Sequence, residues 1–244
     1  MTIRAGSFLL LLFLFVVSCS STEPVTQNTY LTSELPENVT QTENTEIASL
    51  LEEHREKLDA EVGVKIAELT APAEFGKPEG SLGNIAADAI RFRASREARK
   101  FVNLGFIGGD SFFLNFDEGK LTLGEILEFM PYENHLVIVK ITGDDVLELS
   151  KQIAARGGEP VSGLRFRLED DKPRGVLVNS ETVQRDKYYW LATSNFYANG
   201  GGGFSSITNP VERMDFEEVS IRQLYVDHFK ERRVIEPQTD GRIQ

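Results

Sequence analysis

Four short segments carry residue types that suit the recognition of a flat ring. The first is Asn195-Phe196-Tyr197-Ala198-Asn199, which runs into Gly200, Gly201, Gly202 and Gly203 and closes on Phe204. Four consecutive glycines cost conformational entropy, but they permit positive φ and let backbone N–H groups approach a ligand. Phe196 and Phe204 flank them, and aromatic rings beside such a loop suit stacking on a nucleobase. Taken alone, the pattern describes a surface loop with a core aromatic at each end equally well. The second segment, Met130-Pro131-Tyr132-Glu133-Asn134, sets an aromatic and an amide in one turn. The third, Phe106-Ile107-Gly108-Gly109-Asp110-Ser111-Phe112, is a strand running into a Gly-Gly turn, a common edge geometry of α/β sheets. The fourth, Ser81-Leu82-Gly83-Asn84 with Asp88 a turn later, opens a helix. Each of the last three is also compatible with a purely structural role.

Hydrolytic chemistry is harder to find. Metal-dependent phosphoester cleavage needs several His, Asp and Asn ligands converging on two ions. The chain has three histidines, His54, His135 and His228, and none has a partner at ligand spacing such as Asp-x-His or His-x-x-x-His. A serine nucleophile would call for a Gly-x-Ser-x-Gly elbow, which is absent. No catalytic residue is assigned, and no metal or other cofactor is expected in this chain.

The elements that must position these segments alternate along the chain. Helices are expected over 45–60, with Thr45 as its cap, over 81–94 with Ser81 as its cap, and over 123–129, 144–156 and 221–230. Strands are expected over 62–69, 102–107, 135–141, 164–168, 176–178 and 188–193, from their β-branched and aromatic content. The pattern predicts an α/β (α+β) domain over 61–244, a single mixed sheet with helices packed on its faces.

In this order, the four segments resemble the C-terminal domain of the 5′-nucleotidase / UDP-sugar hydrolase family. The matches are Leu82-Gly83-Asn84, Gly108-Gly109, Pro131-Tyr132-Glu133-Asn134, Thr142-Gly143, Ser162-Gly163 and the run from Phe196 to Gly203. The resemblance covers roughly residues 62–230. The resemblance implies a base clamped between Tyr132 and Phe196 and hydrogen-bonded by Asn134, with Gly200 and Gly201 in the loop beside it. It also marks departures. Gly202 stands where the family has the aspartate that holds the ribose, and Phe112 where it has an arginine. Lys77 is the one cation in the stretch 74–79 that precedes the helix start. Asp110, in the preceding turn, is a candidate replacement for the missing acid.

The resemblance further implies that the metal-bearing half is supplied elsewhere. The helix over 45–60 resembles the linker that joins the two halves. Catalysis, with two divalent metal ions, is then expected from a separate exported metallophosphoesterase, this chain supplying the pocket for a nucleotide or nucleoside. A non-catalytic lipoprotein that captures a nucleoside or related ring compound is the alternative, and a remnant without ligand is a third.

Charge and the N-terminus set the location. With a formal net charge of −12, the chain repels nucleic-acid backbones and anionic surfaces, so nucleic-acid binding is not expected. Arg4, the apolar run from Phe8 to Val17 and Val16-Val17-Ser18-Cys19 read as a lipoprotein signal over 1–18 with lipid on Cys19, the only cysteine. The Ser-, Thr-, Asn-, Glu- and Pro-rich stretch over 19–44 reads as a disordered tether. The expected location is the bacterial cell envelope, on the outer membrane facing the periplasm or the cell surface.

Overall fold

A computed structural model describes residues 45–244; the signal segment over 1–18, Cys19 and the tether over 19–44 lie outside the described residues. Ser49–Gln244 forms one compact unit. Among the described residues, no helix is long and apolar enough to cross a membrane.

The domain centres on a five-stranded mixed sheet of β2 (Leu104–Phe106), β4 (His135–Thr142), β5 (Val161–Ser162), β9 (Tyr188–Ser194) and β10 (Glu212–Ser220), in the order β10-β4-β9-β2-β5. Strand β4 reads His-Leu-Val-Ile-Val-Lys-Ile-Thr, a near-continuous apolar run, and Leu136 to Val139 are fully buried. It pairs antiparallel with β9, Leu136 opposite Ser194, and β9 pairs parallel with β2, Leu104 opposite Leu191. The β10 edge alternates Met214 and Phe216 with Arg213, Asp215 and Glu217, which puts charge on a row of unpaired backbone groups.

The helices and the remaining strands surround this sheet. They are α1 (Thr45–Val62), β1 (Lys65–Leu69), α2 (Ser81–Glu97), β3 (Gly119–Thr122), α3 (Leu123–Phe129), α4 (Gly143–Ala154), β6 (Leu164–Glu169), β7 (Lys172–Val178), β8 (Glu181–Thr182), the one-turn α5 (Asn195–Ala198), α6 (Ile221–Arg232) and β11 (Val234–Ile235). The α/β class holds. The expected single sheet does not: the strands form three sheets, the central one, β11-β1-β3 and β6-β7-β8. The last of these closes locally, because Asp170 and Asp171, then Asn179 and Ser180, adopt the positive φ that tight hairpin turns require.

Helix ends follow local chemistry. Thr122 with Glu125, and Thr142 with Asp145, form capping boxes, so α4 begins at Gly143 rather than Asp144. Its C-terminus closes as Gly158 N–H bonds Ile153 O at 3.0 Å, with Gly157 at φ +77°. The cap expected at Ser81 is instead Gly80, because the Ser81 hydroxyl accepts the Glu74 N–H at 3.1 Å, and α2 runs on to Glu97. On α1, Leu51 and Leu58 remain exposed although their spacing suits an apolar face.

Candidate functional site

Sheet topology brings the separate segments to one edge. Since β2 and β9 run parallel, their C-terminal ends emerge side by side, β2 into the Gly108-Gly109 turn and β9 into α5 and the glycine loop. Strand β4 runs antiparallel, so its N-terminal end, with the turn 130–134 before it, lies at the same edge. The junction is tied where the His135 N–H donates to Asn195 Oδ1 at 3.1 Å.

Tyr197 is the buried pin of this edge. Its hydroxyl lies 2.7 Å from Ser111 Oγ and 3.2 Å from Gly108 O, and it donates to an Asp110 oxygen. A Cβ on Gly108 would stand 2.5 Å from that hydroxyl, so the turn needs a glycine there. Burial, reinforced by the Asp110 carboxylate, pushes the Tyr197 phenol well above its ordinary range. The glycine loop starts from Gly200 at φ +92° and turns again at Gly202, φ +62°, conformations that a side chain would strain.

The residues proposed for the base divide as follows. Tyr132 and Phe196 are 49% and 45% exposed, so both rings stand at the surface rather than in the core. The Phe196 ring lies across Gly201, whose Cβ would come within 2.5 Å of it, and meets Tyr197 edge-on at 5.0 Å. Asn134 is half-buried, and its carbonyl accepts the Ile221 N–H at 2.8 Å. Two expectations are corrected. Phe112 turns inward, stacked on Phe129 at 4.6 Å and 6° because the α3 core needs a ring there. The next residue, Phe113, which the sequence reading missed, is exposed and meets Tyr132 edge-on at 5.5 Å. Phe204 is buried against Phe106 at 4.5 Å, so it cannot serve as a second stacking face.

Beside this edge lies a cleft of about 350 Å³, lined by Phe75, Lys77, Asp110, Arg156, Glu159 and Gly202 among others. Arg156 and Glu159 gave no signal in sequence beyond the Gly157-Gly158 helix stop between them. The Arg156 guanidinium covers Phe204, Cζ 3.9 Å from the ring centre, and donates to Gly202 O. Glu159 Oε2 accepts the Gly109 N–H at 2.7 Å. Burial raises the Glu159 carboxyl above its ordinary value, against the opposing pull of that N–H and of Lys77.

Among the described residues, no three His, Cys, Asp or Glu side chains converge as metal ligands. His54 is exposed on α1, and His135 Nε2 faces Asp215 Oδ1 at 3.5 Å. His228 lies on α6, where burial, then Arg232, lower its pKa. The described side chains therefore do not fit the two-metal centre that the family resemblance implies for the catalytic half.

The domain is of the α/β class, with a glycine loop and surface rings at one end of its central sheet, and sequence comparison makes its family explicit. The family model "5'-nucleotidase, C-terminal domain" matches residues 61–209, more than half the chain, and the chain belongs to this family. It is 28% identical over 183 residues to the trifunctional nucleotide phosphoesterase protein YfkN of Bacillus subtilis, covering 68% of this chain and 12% of that protein. It is 26% identical over 183 residues to protein UshA of Escherichia coli, covering 68% of this chain and 31% of that one. The chain thus spans less than a third of the length of either relative. The fold is similar to that of a 5'-nucleotidase precursor from Thermus thermophilus, with a TM-score of 0.71 and 23% identity over 81% of this chain and 42% of that one.

Proposed function

We propose that this chain is the nucleotide- or nucleoside-recognising half of a 5′-nucleotidase-type hydrolase at the bacterial cell envelope. In this reading a separate exported metallophosphoesterase supplies the two divalent metal ions and the hydrolysis, and lipid on Cys19 tethers the chain to the outer membrane. The observation that carries the reading is the pair of surface rings, Tyr132 and Phe196, on elements that the β4–β9 register sets side by side, with Asn134 in the same turn as Tyr132. Family membership and the printed activity of YfkN support the nucleotide class.

The test is calorimetric titration of adenosine. The single tryptophan is a poor reporter, since Trp190 sits about 13 Å along β9 from Ser194. Wild type is expected to bind, and Phe196→Ala to weaken binding roughly 5- to 150-fold, the range of one lost base stack. AMP hydrolysis with divalent metal is expected only when a metallophosphoesterase is added. Absence of binding to every nucleoside would remove the base clamp.

A further inference from the structure

The turn that carries Tyr132 has little main-chain support of its own. Met130 is buried at its start, and the Ile221 N–H holds the Asn134 carbonyl at its end. Pro131, Tyr132 and Glu133 between them are exposed, and a proline has no N–H to donate. Among the described residues, one hydrogen bond reaches this stretch: Arg222 donates through Nη2 to Pro131 O. Its Nε donates to Met130 O at 2.9 Å, so one side chain holds two successive carbonyls. The Tyr132 ring leans edge-on against Phe113. Two consecutive residues of α6, Ile221 and Arg222, thus fasten the two ends of the turn.

The placement of Arg222 is otherwise unfavourable. It stands in the first turn of α6, where the helix macrodipole favours acidic side chains and opposes a cation. Arg93, Arg96, Arg165, Arg213 and Arg242 each pair with a carboxylate, whereas Arg222 has none within ion-pair distance among the described residues. What it does hold is the pair of carbonyls that follow the C-terminus of α3, which the helix itself leaves without donors. A guanidinium suits this task, because its planar fork presents several N–H groups to neighbouring acceptors, where an ammonium is a point charge on a flexible stem.

We infer that Arg222 is a positioning residue: it fixes the 130–134 turn so that the Tyr132 ring stands preformed for stacking, and it acts on a bound ring through Tyr132 rather than by touching it. The inference rests on the reading that the rings hold a base. It adds a residue from α6, which lies beyond the stretch 61–209 that the family model matches. A ring on an unheld turn has to be ordered at the moment of binding, at the cost of its main-chain and side-chain freedom. Removing the guanidinium therefore weakens binding without deleting a group that contacts the base.

The experiment is a double-variant cycle on the full chain, read by calorimetry with adenosine. Arg222→Ala is expected to weaken adenosine binding about tenfold, the order of cost for immobilising a turn and its ring. On a Tyr132→Ala background the same substitution is expected to cost less than about twofold, because the ring it positions is gone. A residue that served stability alone would shift the thermal melt and leave the affinity of the folded protein unchanged. Should Arg222→Ala fail to fold, the cycle is run with Arg222→Gln, whose amide keeps a donor for one carbonyl, and the same pattern is expected at reduced size. Unchanged affinity in the folded variant, or an equal loss on both backgrounds, would overturn the inference and leave the base clamp standing. No binding of any nucleoside by wild type would instead overturn the clamp, and this inference with it.

Discussion

Tyr197→Phe removes one oxygen from the centre of the candidate site and leaves the ring in place. The hydroxyl it deletes serves Ser111, Gly108 and Asp110 together. Ser111 is buried and loses the partner of its own hydroxyl, a loss worth about 1–3 kcal/mol. Asp110 loses a charge-assisted bond, but the residue is exposed and water can replace it, which holds that contribution near 1 kcal/mol. The total is about 2–4 kcal/mol, which for a domain of this size lowers Tm by roughly 4–16 °C. Circular dichroism melts at pH 7.5 measure it. Ser111→Ala on the Tyr197→Phe background is expected to recover about 1 kcal/mol, because it removes the stranded hydroxyl. The pH dependence has a definite sign. Tyr197 and Tyr225 are both raised by burial, so the folded state holds their protons when the unfolded state, with a pKa near 10, releases them. That stability is present below pH 10 and lost above it, so the gap between wild type and Tyr197→Phe narrows in alkali. A Tm within about 1 °C of wild type, or strictly additive effects in the double variant, would refute Tyr197 as the pin of this edge.

Two further perturbations follow from the same structure. Arg242 plants a nearly buried guanidinium on Asp88, at 2.6 and 2.9 Å, and on Val161 O at 2.8 Å; Arg242→Ala is expected to cost about 3 kcal/mol, the low end for a broken buried pair because Asp88 is 47% exposed, read by urea denaturation. Glu159, beside Lys77, Asp110 and Arg156, has its carboxyl raised by burial, so its contribution is favourable in acid and lost as pH rises above the unfolded value of about 4.3. Glu159→Gln is therefore expected to gain stability over wild type between pH 4 and pH 7.5, and a Tm difference that stays constant or reverses with pH would contradict that direction.

Local signals fixed much of this molecule before any tertiary contact was considered. The apolar run of β4, the Thr-x-x-acid boxes at Thr122 and Thr142 and the glycine loop each declare their element through interactions within a few residues, and so are legible in sequence. The ordered motifs from Leu82 to Gly203 sufficed to recognise the family. Long-range packing decided the rest. Strand β10 is rich in Glu and Asp and becomes a strand because it pairs with β4. Neighbouring Phe112 and Phe113 part ways, one filling the core beside Phe129 and the other standing at Tyr132, a choice made by residues distant in the chain. Arg156 reaches the glycine loop, and Glu159 the Gly108-Gly109 turn, only because α4 ends beside them. Residue types and short spacings record backbone preference and the pattern of burial; which side chains share a cleft depends on how helices and sheets close on one another, and that is settled only when the apolar faces find their partners.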